Sequence, residues 1–251
     1  MKRATRVAIV AIVLFFNLLF VLFHLRNIFT VFNIVGASID GYIPRPVKTG
    51  QDRAVSYIYS VDDPDAKLHP PNKGHESIVY LTYIIDNYDK LPSISAFLHA
   101  HQNGWWDAWH TDVAGHDNVA SLNTLNLDFV EEQGYVNLRC ALKPGCALSD
   151  VSPNTHINPE IWMQVFGNDT DMPAEIGAAC CAQFAVSKLQ ILQRKKEEYI
   201  HYRDWVLQTP LLDRESGRVM EYLWHIIFRR YAMHCPEPNQ CYCDVYGRCD
   251  Q

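Results

Sequence analysis

The stretch that most restricts this chain stands near its beginning. Residues 7–23, "VAIVAIVLFFNLLFVLF", are apolar except for Asn17 and follow Lys2, Arg3 and Arg6. No polar stripe runs through them, so they do not read as the amphipathic helix of a soluble core. The run is close to the lower limit for a bilayer-spanning helix and long for the core of a cleavable signal. Basic residues ahead of it favour a cytosolic N-terminus, with the rest of the chain outside the cytosol. A signal peptide cut near "VGAS" (Val35 to Ser38) is the competing reading. The expected organisation is a cytosolic tail over 1–6, a transmembrane signal-anchor over 7–25, a stalk over 26–53 and a lumenal or extracellular domain over 54–251. That describes a single-pass membrane protein of the secretory pathway, held in the ER or Golgi or at the cell surface.

Cysteine usage agrees with that placement. All eight cysteines lie beyond the apolar run, between Cys140 and Cys249. In an oxidising compartment they are expected as disulfides. Their full connectivity cannot be read from spacing. Cys140 and Cys146 bracket "ALKPG", a turn-like loop that would bring the two together. The tail "HCPEPNQCYCDVYGRC" has the spacing C-x5-C-x-C-x5-C, which fits no common zinc pattern. Asn168, in "NDT", would carry a glycan in such a compartment. The net charge of −6 argues against a nucleic-acid partner, since such binders present basic surfaces.

The domain itself reads as α/β. "AVSYIYSV" (Ala54 to Val61) is a short β-rich run that ends in "DDPDA". In "HESIVYLTYIIDNYDKLP", Ile78, Leu81, Ile85 and Tyr88 recur at helical spacing until Pro92. "SISAFLHAH" is the next strand, with Phe97, His99 and His101 on one face and Ile94, Ala96 and Leu98 on the other. "YVNLRC" and "CCAQFAVSK" read as further strands. One helix carries Leu192, Tyr199, Tyr202 and Val206; another spans Gly217 to Phe228. Strands alternating with helices predict a mostly parallel sheet with flanking helices, stapled by disulfides and preceded by the transmembrane helix.

In such a sheet ligands bind beyond the carboxyl ends of the strands. Asp63 and Asp65 follow one strand; His99 and His101 end another. If these strands are neighbours, carboxylates and imidazoles converge on one crevice suited to a divalent cation such as Mn or Mg. Trp105, Trp106 and Trp109 would give it a stacking wall. Each feature also has a plainer explanation: "DDPDA" as an acidic turn, the histidines as hydrogen-bonded surface residues. Glu221 and His225, one helical turn apart, make an acid–base pair or a solvent-facing ion pair. There is no G-x-S-x-G, P-loop or G-x-G-x-x-G, so lipase, NTPase and dinucleotide-binding signatures are missing.

Several stretches together look familiar: "PNKGHE" (Pro71 to Glu76), "YLTYIIDNYDKLP", "FLHAH", "YVNLRC", "CCAQFAVSK", "YRDWVLQTPL", "SGRVMEYLWHIIF" and "HCPEPNQCYCDVYGRC". From about Ser56 to Cys249 the chain resembles a fungal family known only as a domain of unknown function, DUF3431. The resemblance implies a fungal origin and an α/β fold, and brings no established activity. The family is distantly similar to nucleotide-sugar glycosyltransferases of the GT-A type. By that analogy "DDPDA" or "FLHAH" would be the metal-holding end, and Asp63 and Asp65 have the D-x-D spacing. Family members begin with a further strand and acidic turn, in whose place this chain has "RPVKTGQDRA".

Two functions of different class follow. One is a metal-dependent glycosyl transferase with Asp63, Asp65, His99 and His101 at the metal, Trp105, Trp106 and Trp109 on the nucleotide sugar or glycan, and Glu221 or His225 as base. The other is a non-catalytic, disulfide-stabilised domain that binds a glycan or protein through its tryptophans. A copper oxidase ranks last, because "YAMHC" has tyrosine where the H-x-x-H-C motif needs histidine.

Overall fold

Apolar strands that are covered on both faces form the middle of this protein, and helices supply the cover. The computed structural model describes residues 32–38, 54–61, 65, 67–99, 110–146 and 156–249. Its main sheet contains β1 (Phe32–Ser38), β2 (Ala54–Ser60), β3 (Ile94–His99), β4 (Tyr135–Asn137) and β6 (Phe184–Ser187), in the order β2-β1-β3-β6-β4. A small second sheet joins β5 (Gly177–Ala178) to β7 (Met233–His234). One strand of the main sheet thus comes from the segment whose composition reads as a stalk.

The sheet is mixed, which corrects the expectation of a mostly parallel one. β1 runs parallel to β2 and β3, but β6 pairs antiparallel with both β3 and β4. The sequence misleads here for a physical reason. A run that is buried on both faces usually belongs to a parallel sheet, and "FAVS" in β6 is buried at every position. Burial sets the composition of a strand but not its direction. Among the described residues no helix is long and apolar enough to cross a membrane; the expected transmembrane helix falls at residues 7–25. Residues 1–25 lie outside those described.

The helices are α1 (Glu76–Asn87), α2 (Asn118–Asn123), α3 (Leu127–Gln133), α4 (Pro159–Phe166), α5 (Lys188–Ile191), α6 (Lys196–Gln208), α7 (Asp213–Ile227) and α8 (Pro238–Tyr246). Local chemistry starts and stops them. Asp117, Asn126, Asn158 and Glu237 cap N-termini with their side chains. Pro159 and Pro238 stand in first turns, where the missing N–H costs nothing. Gly134 ends α3 at φ +79, and the chain turns directly into β4.

Alternation along β3 divides the interior in two. Phe97 faces a large core with α1, α6 and α7, while Ile94, Ala96 and Leu98 face a smaller one with α2, α3 and α8. Aromatic rings fill the large core: Phe97 lies 4.9 Å from both Tyr80 and Phe184, and Trp224 lies 5.7 Å from Tyr80. Offset and edge-on contacts of this kind add to the area they bury.

All eight cysteines are oxidised. The pairs are Cys140–Cys241, Cys146–Cys235, Cys180–Cys181 and Cys243–Cys249. Cys140 and Cys146 are therefore bonded, but not to each other. The loop between them is closed at Lys143–Pro144 by a cis peptide, and its two ends are tied separately to residues near the C-terminal helix. Spacing identified a turn and could not reveal the more distant partners.

Candidate functional site

The polar residues of the site gather where β3 ends, and a close helix contact brings the carboxylates there. Gly74 (φ +68) and His75 (φ +54) make a left-handed turn into α1, which places Glu76 first in the helix. Gly217 of α7 packs onto this turn. A Cβ on Gly217 would stand 2.7 Å from His75 Cδ2 and 3.2 Å from the Gly74 carbonyl oxygen. Only glycine permits that approach, and it carries the following turn of α7, with Arg218 and Glu221, toward Glu76.

Glu76 Oε2 lies 4.0 Å from Nε2 of His99, the last residue of β3. The His99 ring packs against His110 with centroids 4.4 Å apart. A buried network fixes the strand end. Gln183 Oε1 accepts the His99 N–H at 3.0 Å, and Gln183 Nε2 donates to Thr111 Oγ1 at 3.3 Å. Thr111 in turn donates to Asn118, whose Nδ2 donates to the His99 carbonyl. Burial pushes the Glu76 carboxyl above its usual range, against the opposing pull of its backbone hydrogen bond, His75 and Arg218.

Glu221 is the second, largely buried carboxyl. Its Oε1 accepts the Cys181 N–H at 2.6 Å, and its Oε2 lies 2.6 Å from Arg218 Nη1. Burial raises its pKa too; Arg218 and the Cys181 hydrogen bond oppose this, and the charge of Glu76 adds to it. His156 stacks on Tyr222 and is pushed down, chiefly by burial and also by Arg218. Among the described residues, the group of His, Cys, Asp or Glu close enough to share one metal is Cys180, Cys181 and Glu221. Their two sulfurs are joined to each other in this structure.

The expected site residues fall in different places. His99 and Glu221 both belong to this cluster. Asp65 lies in an exposed turn after β2, and β1 separates β2 from β3. Two strand spacings, about 10 Å, thus divide the β2 and β3 ends. His225 does not join Glu221: it is fully buried one turn on, with Nε2 2.8 Å from the Ala232 carbonyl oxygen. Asn168 is exposed just after α4. Asp63, His101, Trp105, Trp106 and Trp109 lie outside the described residues.

Some site residues carried weak sequence signals. Glu76 stands in the first turn of α1, where an acidic residue is common for helix reasons alone, so its position carries no sign of a site. The adjacent cysteines "CC" were a readable signal, because neighbours in sequence are always within reach of each other. Asp112 has a structural task that spacing did not suggest. It accepts the Cys140 and Ala141 N–H groups and the Tyr242 hydroxyl, and lies 3.5 Å from Arg139 Nε.

A family model described as a protein of unknown function, DUF3431, matches residues 47–244. The chain belongs to that family. The match spans most of the mixed sheet and both helices that carry the acidic side chains. No curated protein and no solved structure matches the chain.

Proposed function

We propose that this protein is a cation-assisted group-transfer enzyme whose centre is built around Glu76, His99 and Glu221. The observation that carries the reading is the approach of two largely buried carboxyls, from α1 and α7, close enough for Glu76 to raise Glu221, with Glu76 4.0 Å from the histidine that ends β3. Raised carboxyls beside imidazoles are what proton transfer near neutral pH requires. Arg218 adds a positive charge that an anionic substrate would meet.

The donor set fits a divalent ion in part. Glu76 Oε2 and His99 Nε2, 4.0 Å apart, are near enough for one ion to touch both, and an oxygen–nitrogen pair suits Mn or a similar cation. His101, two residues on, would be a third donor. Glu76 then takes the carboxylate role expected of Asp63 and Asp65. A bound cation would neutralise the diphosphate of a nucleotide sugar, the substrate class we favour. Glu221 would hold or accept the proton, with Arg218 and the Cys181 N–H fixing its orientation. Four disulfides support residence in an oxidising compartment of the secretory pathway.

The test is thermal unfolding of the oxidised protein with Mn, Mg or Zn, with and without uridine diphosphate sugars. A ligand at ~100 times its Kd adds about 2.7 kcal/mol, a rise on the order of 5–10 °C for a domain of this size. We expect a Mn-dependent rise that grows with the nucleotide sugar and disappears in His99→Ala. A rise with a free glycan and no cation would instead make the protein a binding module. No rise with any metal overturns the cation-assisted reading.

A further inference from the structure

We propose that the Cys180–Cys181 disulfide is a redox-gated site for a thiophilic cation such as Zn2+, closed when oxidised and opened by a dithiol reductant. The proposal does not rest on the transferase reading, although it shares Glu221 with it.

Three observations meet at this pair. First, Arg139 is buried, at 8% exposure, and its Nη1 lies 3.0 Å from Cys180 Sγ and 3.4 Å from Cys181 Sγ. Its Nε faces Asp112 at 3.5 Å and its Nη2 donates to the Lys143 carbonyl, so the guanidinium is fixed in place. A fixed positive charge against two sulfurs favours the state in which they carry negative charge, which is the reduced one. Second, Cys181 and Ala182 hold φ +83 and +46, a left-handed conformation that side-chain-bearing residues adopt at a cost. The closed ring sits beside that segment. Third, the two sulfurs and a Glu221 oxygen all lie within 4.8 Å of one another. Thiolate sulfur and carboxylate oxygen both ligate zinc, and a water would complete the four-coordinate set.

The other disulfides differ. Cys140–Cys241 is almost fully buried and joins positions 101 residues apart; Cys146–Cys235 joins positions 89 apart. Neither has a guanidinium hydrogen bond to sulfur among the described contacts.

A thiolate of the reductant bonds to the partly exposed Cys181 Sγ, the Sγ–Sγ bond breaks, and the electron pair leaves on Cys180 Sγ beside Arg139. The second thiol of the reductant then attacks the mixed disulfide, releasing Cys181 and leaving the reductant as a cyclic disulfide. Zn2+ displaces the protons remaining on the two sulfurs and accepts one Glu221 oxygen.

The experiment uses the full chain with Cys243→Ser and Cys249→Ser, which removes the exposed disulfide from the count. Graded buffers of reduced and oxidised dithiothreitol, followed by alkylation and peptide mapping, give the order of reduction. Zn2+ alone is then titrated into oxidised and partly reduced protein after the reductant is removed. We expect Cys180 and Cys181 to be labelled at a thiol-to-disulfide ratio at least tenfold below that needed for Cys140 and Cys241. The reduced protein should bind one more Zn2+ per chain than the oxidised protein. Cys181→Ser should abolish the extra ion, and Glu221→Gln should weaken it about tenfold. Labelling of Cys180 only together with Cys140, or equal zinc content before and after reduction, overturns the proposal. Zinc bound equally by both forms would report on the Glu76–His99 centre instead.

Discussion

Single residues here respond to pH in opposite directions. His225 has its pKa pushed down to about 4, mainly by burial and against its hydrogen bond with the Ala232 carbonyl, and His234 beside it behaves likewise. A depressed histidine stabilises the fold above its unfolded pKa of 6.5 and loses that contribution as pH falls toward 4. For His225 the full loss is on the order of 3 kcal/mol. Urea unfolding between these limits should show it, and His225→Phe should flatten the profile. Glu76 and Glu221 have the opposite sign. Their raised pKa values give stability that is complete below the ordinary carboxylate range and lost as pH rises through the folded-state values. Glu76→Gln should therefore unfold at higher temperature than the parent at about pH 8 and show no gain at about pH 4. A parent whose stability is flat through the alkaline limb would refute the burial argument for both carboxyls. Such residues were hard to recognise in sequence, because burial gives Glu76 and His225 their character and no local spacing encodes it. His99 was legible because it ends an apolar strand.

At the level of elements, the contact between α7 and the turn before α1 is the one on which the site depends. Gly217→Ala should gain about 1 kcal/mol of helix propensity, but its Cβ would press on His75 and the Gly74 carbonyl. We expect the steric cost to win, with a net loss of about 1–3 kcal/mol in chemical denaturation. A stabilised variant would mean that α7 does not rest on this turn. The disulfides make a second comparison. Replacing Cys140 and Cys241 with alanine should cost about 4–5 kcal/mol, against about 2 kcal/mol for Cys243 and Cys249, because the first bridge closes a loop of 101 positions and the second one of 6. Thermal melts of the two double variants would rank them, and equal losses would contradict the loop-closure account. Helix positions were readable from periodicity: α1 and α7 lie where Ile78, Leu81 and the Gly217–Phe228 run place them. Strand direction was not, since a buried strand such as β6 has no sequence mark for which way it runs.

The described residues of the domain form a mixed sheet with helices on both faces, and a disulfide-tied C-terminal helix packs in the smaller core. The large aromatic core is its most concentrated store of stability. Trp224→Ala should cost about 3–5 kcal/mol in the same denaturation assay, and a loss under 1 kcal/mol would show that the neighbouring rings collapse to fill the gap. Membership of the family and the two-sided sheet were legible from the order of motifs and strands. The partners of Cys140 and Cys146 were not, because connectivity depends on the finished topology.

That connectivity has a consequence for how the protein is made. Cys140 and Cys146 must wait for partners that leave the ribosome 101 and 89 positions later, on the order of 5–20 seconds at usual translation speeds. During that interval Cys180 and Cys181 emerge, each able to capture a waiting thiol and trap the nascent chain in a wrong ring. By bonding to each other they withdraw from that competition, and the late-arriving C-terminal segment finds its proper partners still unclaimed.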